Sequence, residues 1–149
     1  SLMNLNQVLS HSMKIAMREK NKLRLGTIRL IRADIKRVEI DKRRTLDDSE
    51  ILLVLDKMLK QRRDSIKQYE SAGRQELAET EAAEIAVIQE FLPRQLSKHE
   101  VNDLIKSAIQ ESKASKLKDM GLVMAALKPK MQGLADMKEV SLIVKSLLS

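Results

Sequence analysis

A chain of 149 residues, 43% apolar and 33% charged, holds one ordinary domain or two small ones. It has no cysteine, which excludes disulfides, thiolate metal sites and cysteine nucleophiles. Its net charge of +7 favours an acidic partner such as nucleic acid.

Tyr69 and Phe91 are the only aromatic residues. Modules that stack single-stranded bases need exposed aromatic platforms, so an RRM, an OB-fold and a cold-shock domain are excluded. Nucleic-acid binding must then go through phosphates and shape. No apolar run approaches the roughly 18–20 residues that cross a bilayer, and no membrane partner is expected. No signal-peptide pattern opens the chain, and Ser1-Leu2 ahead of Met3 reads as a vector remnant. The default expectation is a cytoplasmic protein. Charge is unevenly spread. Residues 1–44 carry 12 Lys and Arg against 4 Asp and Glu, residues 45–92 carry 6 against 11, and residues 93–149 carry 10 against 6. Basic helices packed beside acidic ones explain this pattern as well as a phosphate-binding surface does.

Residues 4–20 place Leu5, Val8, Leu9, Ser12, Ile15 and Ala16 on one side at helical spacing. Asn21-Lys22 is either a tight corner or a continuation. The next helix, 22–40, has Leu23, Thr27, Ile28, Ile31, Ile35 and Val38 as its expected buried face. Its other side carries Lys22, Arg29, Arg32 and Lys36, a cationic stripe about 20 Å long. That stripe is either a solvated surface or a track for phosphates. Asp41-Lys42-Arg43-Arg44 reads as a polar loop. Thr45 or Asp47 caps a long helix to Ala72, with Asp48 and Glu50 in its first turn and Gly73 at its end. Helix four, 74–92, is rich in alanine and glutamate. Its acids Glu76, Glu79, Glu81, Glu84 and Glu90 read as a solvated face, because His11 and His99 do not complete the Glu-x-x-His motifs of a di-metal bundle.

Pro93 ends that helix near Leu92, because proline has no N–H and clashes with the preceding turn. Ser97-Lys98-His99-Glu100 is a capping box that starts the next. The chain therefore reads as all-α: an N-terminal four-helix module, 1–92, an elbow at 93–96, and a three-helix module, 97–149. Helix five spans 98–112. Helix six starts near Lys118-Asp119 and carries Gly121, a residue that permits close approach of another backbone. Pro129 distorts its last turn, and Gln132-Gly133 ends it. Asp136-Met137-Lys138-Glu139 resembles a second capping box ahead of a helix that buries Val140, Ile143, Val144 and Leu147. The eight methionines read as adaptable core filler.

The run Lys118-Asp119-Met120-Gly121-Leu122-Val123-Met124, then Lys128-Pro129-Lys130 and Gly133-Leu134-Ala135-Asp136, resembles the tail domain of the GatB/YqeY superfamily. Arg24 to Ile31, Lys60 to Ile66, Ala72-Gly73-Arg74 and Phe91 to Ser97 extend the resemblance to the stand-alone YqeY-like proteins over essentially the whole chain. Where that pattern more usually shows a glycine, this chain has Met137. The C-terminal module is similar to the three-helix tail of the B subunit of the glutamine-dependent Asp/Glu-tRNA amidotransferase, which helps hold tRNA. The resemblance implies a non-catalytic module that binds tRNA or associates with an amidotransferase or aminoacyl-tRNA synthetase. The catalytic cradle of that subunit has no counterpart here.

The candidate RNA-binding residues are Lys116, Lys118, Gly121, Lys128, Lys130, Gln132 and Gly133, crowded around both ends of helix six, where backbone N–H groups and lysines can meet phosphates. Lys22, Arg29, Arg32 and Lys36 form a second candidate surface. Packing and turn-making are the competing roles for Gly121 and Gly133. A protein-interaction adaptor is the alternative function. A carbon–nitrogen ligase using glutamine as amido-N-donor is a third, but no nucleophile–base pair, phosphate loop or metal constellation supports it. No catalytic residue, metal, cofactor or small-molecule substrate is expected.

Overall fold

The structure is a computed structural model that describes residues 3–149, so the reading of Ser1-Leu2 lies outside the described residues. It is all-α, as the periodicity predicts. The helices are α1 (Leu5–Arg18), α2 (Lys22–Lys42), α3 (Asp48–Ser71), α4 (Gln75–Gln89), α5 (Lys98–Ser112), α6 (Met120–Met131) and α7 (Met137–Leu148), with one 3₁₀ turn, Leu117–Asp119. The chain divides into two compact units, residues 1–92 and 93–149.

In the first unit α2 packs against α1, α3 and α4, and α3 packs along α4. The core is mostly aliphatic: Leu9, Ile28, Ile31, Ile51, Leu55 and Ile88 are fully enclosed. The 3.6-residue repeat puts Thr27, Ile28, Ile31 and Ile35 inside. Thr27, the buried polar residue among the described residues, donates its hydroxyl to the Leu23 carbonyl at 2.9 Å. Leu23 itself is corrected to the exposed side, because it lies nearer Leu30 than Ile31 around the helix. Asn21-Lys22 is a corner: Lys20 adopts φ 57, and the Asn21 side chain caps α2 by accepting from Arg24 N–H at 3.1 Å. Helix α2 then runs to Lys42, into the expected polar loop. Gly73, at φ +70, ends α3 as expected.

Helix α4 stops at Gln89, three residues short of the expected Leu92. Phe91 and Leu92 N–H donate to Ile88 and Gln89 carbonyls as turns, and both side chains are buried in this unit's core. The expected solvated acidic face is also corrected in part. Glu81 and Glu84 are half-buried around Arg62, at 3.9 and 2.9 Å. Burial, then the neighbouring Glu84, push the Glu81 carboxyl above its ordinary value, while Arg62 opposes them.

In the second unit α6 packs on α5 and α7 around Ile105, Val123, Leu127, Met131, Val140 and Val144. Leu148, not Leu147, completes that core; Leu147 is exposed although it lies within about 20° of Val140 around the helix, because it sits in the last turn of α7. Met131 and Met58 fill cores, whereas Met17 is exposed and fills none. Asp136 caps α7 by accepting from Lys138 N–H at 3.0 Å, so the expected box to Glu139 is an Asx-type cap instead. Pro129 leaves α6 continuous to Met131.

Each unit contains one helix start of the form Arg-x-Leu-cap-x-x-Glu. In Arg44–Glu50, Asp47 is the cap of α3; its carboxylate accepts from Glu50 N–H at 2.9 Å while Glu50 accepts from Asp47 N–H at 3.2 Å. Arg44 then grips both Glu50 oxygens at 2.7 Å, and Lys42 adds a bond at 3.0 Å. In Arg94–Glu100, Ser97 and Glu100 form the predicted box at 3.1 Å each way, and Arg94 grips both Glu100 oxygens at 2.9 Å. Leu46 and Leu96 occupy the position before each cap, opposite Ile51 and Val101 one turn in, as a hydrophobic staple requires. Three basic residues, Lys20, Arg43 and Lys113, hold left-handed backbone just past α1, α2 and α5.

Candidate nucleic-acid interface

The second unit builds its candidate surface on α6. Val123, Leu127 and Met131 take the inner face of this helix, and Gly121, Leu122, Ala125, Ala126, Lys128, Pro129 and Lys130 are exposed. At 100° per residue Lys128 and Lys130 fall on opposite edges of that outer face, with Gly121, Ala125 and Ala126 between them and the exposed Leu122 and Pro129 along its middle. Lys116 and Lys118 are exposed before the helix starts. None of these four lysines makes a side-chain ion pair among the described residues.

Both ends of α6 differ from the expectation. At the N-terminal end, the Asp119 carboxylate accepts from the N–H groups of Ser115 and Lys116 at 3.0 and 3.1 Å. Those two bonds hold the Asp119 carboxyl below its ordinary value. The carboxylate thus closes on the two amides ahead of the 3₁₀ turn and makes no side-chain cap on α6 itself. At the other end, Lys128 and Lys130 sit in the last turn, where the helix presents carbonyls and cations offset its negative end.

Gln132 and Gly133 face inward. Gln132 is half-buried and Gly133 buried. Gly133 holds φ +81, a turn conformation that side-chain-bearing residues avoid, and its carbonyl accepts from Gln95 Nε2 at 2.9 Å. Next to it the Leu134 carbonyl accepts from Leu96 N–H at 2.8 Å. Gly133 is thus a turn residue, and Gln95 is its unforeseen partner; its place beside the Pro93 elbow was the available signal. Of the two approaches that Gly121 permits, a neighbouring helix or a ligand, the structure bears on the first. A Cβ there meets nothing within 4 Å, so no backbone of this chain approaches it.

On the first unit, Lys22, Arg29, Arg32 and Lys36 are all exposed. Lys22, Arg29 and Lys36 recur every seven residues and pair with no acid among the described residues. Arg32 Nη1 lies 3.1 Å from Met13 Sδ. No aromatic platform accompanies either surface: Phe91 is buried and Tyr69 half-buried. Among the described residues no three His, Cys, Asp or Glu side chains gather as a metal set, and no helix is long and apolar enough to cross a membrane.

The YqeY-like protein family matches residues 6–148. The chain belongs to the YqeY-like family. Curated relatives are similar at moderate identity. "Altered inheritance of mitochondria protein 41, mitochondrial" of Pyrenophora tritici-repentis is 34% identical over 126 residues, 80% of this YqeY-like chain and 69% of the relative. The Kluyveromyces lactis protein of the same name is 38% identical over 56% of this chain and 45% of its own length. That of Lachancea thermotolerans is 33% identical, over 72% and 59%. The chain thus spans about half the length of some of the relatives it matches. These names overturn the cytoplasmic expectation, because relatives of this YqeY-like chain are named as mitochondrial proteins. Composition carries no compartment address, so the residues did not foresee it.

Proposed function

We propose that this YqeY-like protein is a non-catalytic module that binds tRNA through phosphates on the outer face of α6. Its place is then beside a tRNA-using enzyme, an amidotransferase or an aminoacyl-tRNA synthetase. The observation that carries the reading is the set of four exposed lysines, Lys116, Lys118, Lys128 and Lys130, around the outer face of α6. Lys128 and Lys130 make no ion pair among the described residues, whereas Lys116 and Lys118 lie near the Asp119 carboxylate. Gly121 and Ala125, beside the Lys128 edge, let a sugar–phosphate backbone come close there, with Leu122 further across the face, and lysines at both edges and before the helix supply point charges along it. The lack of an exposed aromatic fits recognition of a folded RNA's shape rather than of single bases.

The test is a salt titration of binding to folded tRNA, an unrelated duplex RNA and duplex DNA. The wild type should prefer tRNA, with a log–log salt slope of about −0.7 to −0.9 per phosphate neutralised. The double variant Lys128→Glu/Lys130→Glu should lose that preference while its helical circular dichroism is unchanged. Equal affinity of variant and wild type would reject the site.

A further inference from the structure

Helix α2 turns a patterned face outward on the first unit. Leu23, Gly26, Leu30, Ala33, Arg37 and Ile40 follow at steps of three, four, three, four and three, and all are exposed. Leu23, Leu30 and Ile40 leave 45%, 48% and 64% of their surface in water. Steps of three and four are the spacing of a helix–helix seam, not of scattered surface apolars. Arg37, the one break in the row, is drawn aside by Asp34 at 2.8 Å. Between the large residues lie two notches: a Cβ on Gly26 meets nothing within 4 Å, and the next small position is Ala33. Lys22, Arg29 and Lys36 run along one edge of the seam without an acid to pair with among the described residues.

We infer that this face docks an amphipathic helix of another protein, one that lays aliphatic side chains over Gly26 and Ala33 and a row of Asp or Glu along Lys22, Arg29 and Lys36. Helix-in-groove recognition uses this spacing of anchors, and opposite charge along a seam sets partner and orientation. The pattern disfavours the other occupants. A bilayer surface gains nothing from notches, and three aliphatic side chains offer it little to insert. Phosphates would face leucines on half of the strip. A second copy brings the same cations along the same edge, and of the two acids on the seam side of α2, Asp34 is held by Arg37 while Asp41 sits in the last turn. The inference concerns a different unit from the RNA reading and stands or falls without it.

The test uses the full chain and a synthetic amphipathic helix of about 20 residues with leucines at seam spacing and glutamates beside them. A lysine-for-glutamate peptide is the control. Binding is read by fluorescence anisotropy. The acidic peptide should bind at least about tenfold more tightly than the basic one, and Leu30→Asn and Gly26→Leu should each weaken it by about tenfold or more. Gly26→Leu keeps or raises Tm, because it replaces a helical glycine in open space, so its loss of binding is not loss of fold. Lys128→Glu/Lys130→Glu should leave peptide binding unchanged. The inference is overturned if the acidic peptide does not bind, or if both variants bind it like the wild type. It is also overturned if tRNA or phosphatidylserine vesicles, rather than the peptide, show the variant-sensitive binding. A wild-type dimer in sedimentation that the variants lose would assign the seam to self-association instead.

Discussion

The two Arg-x-Leu-cap-x-x-Glu helix starts use one local grammar in two settings. In the first, Leu46 is buried and Glu50 is gripped by Arg44 and Lys42 together. In the second, Leu96 is half-buried and Glu100 is gripped by Arg94 alone, from a side chain 74% exposed. Backbone capping is the same in both, because it depends only on residues within one turn. What differs is what each leucine and arginine meets beyond the turn. A helix start read from sequence therefore predicts where a helix begins, and says little about how firmly it is held.

Substitutions at matched positions test that difference. Leu46→Ala should cost about 2–5 kcal/mol in a urea titration, the range for truncating an enclosed leucine. Leu96→Ala should cost well under half of that, and equal losses would break the contrast. Arginine burial sharpens the point. Arg62, which sits 14% exposed between Glu81 and Glu84, should cost about 1–3 kcal/mol on change to alanine, by leaving two half-buried carboxylates unanswered. That loss should shrink as pH falls and Glu81, whose carboxyl is already raised, takes up its proton. Arg94→Ala should move the urea midpoint far less, since exposed pairs contribute little. Ser97→Ala, which removes only a cap, should cost about 1 kcal/mol.

The smallest effect is a pH dependence. The Arg94 fork and the Ser97 N–H lower the Glu100 carboxyl from 4.5 to about 2 in the folded chain. A carboxyl lowered on folding stabilises above its unfolded value and loses that contribution as pH falls through the folded one. Thermal scans should therefore show stability draining between about pH 4.5 and 2 in the wild type, and less steeply in Glu100→Gln. Glu50, held low by Arg44 and Lys42, should act in the same direction in the first unit.

Much of the architecture was legible because helix periodicity, caps and a proline are local signals. Ser97-Glu100 announced its helix, Thr45 or Asp47 marked the start of another and Asp47 is its cap, and α5 has the predicted limits of 98–112. Edges were less legible. Leu23 and Leu147 lie close to buried neighbours around their helices, and only the packing of other helices decides which side a borderline leucine takes. The lysines of the candidate surface were legible as charge. Their surroundings were not: Asp119 turning back on Ser115 and Lys116, and Gln95 reaching the Gly133 carbonyl, depend on chain reversal and on contact across 38 residues.

Lys20, Arg43 and Lys113 mark three helix ends written without glycine. A left-handed residue with a Cβ is strained by roughly 1 kcal/mol, although its positive charge suits the negative end of a helix. Such ends should be the first to open: amide protons of the last turns of α1, α2 and α5 should exchange sooner than those of α3, which ends at Gly73. Replacing each of the three residues by glycine should slow that exchange one helix at a time.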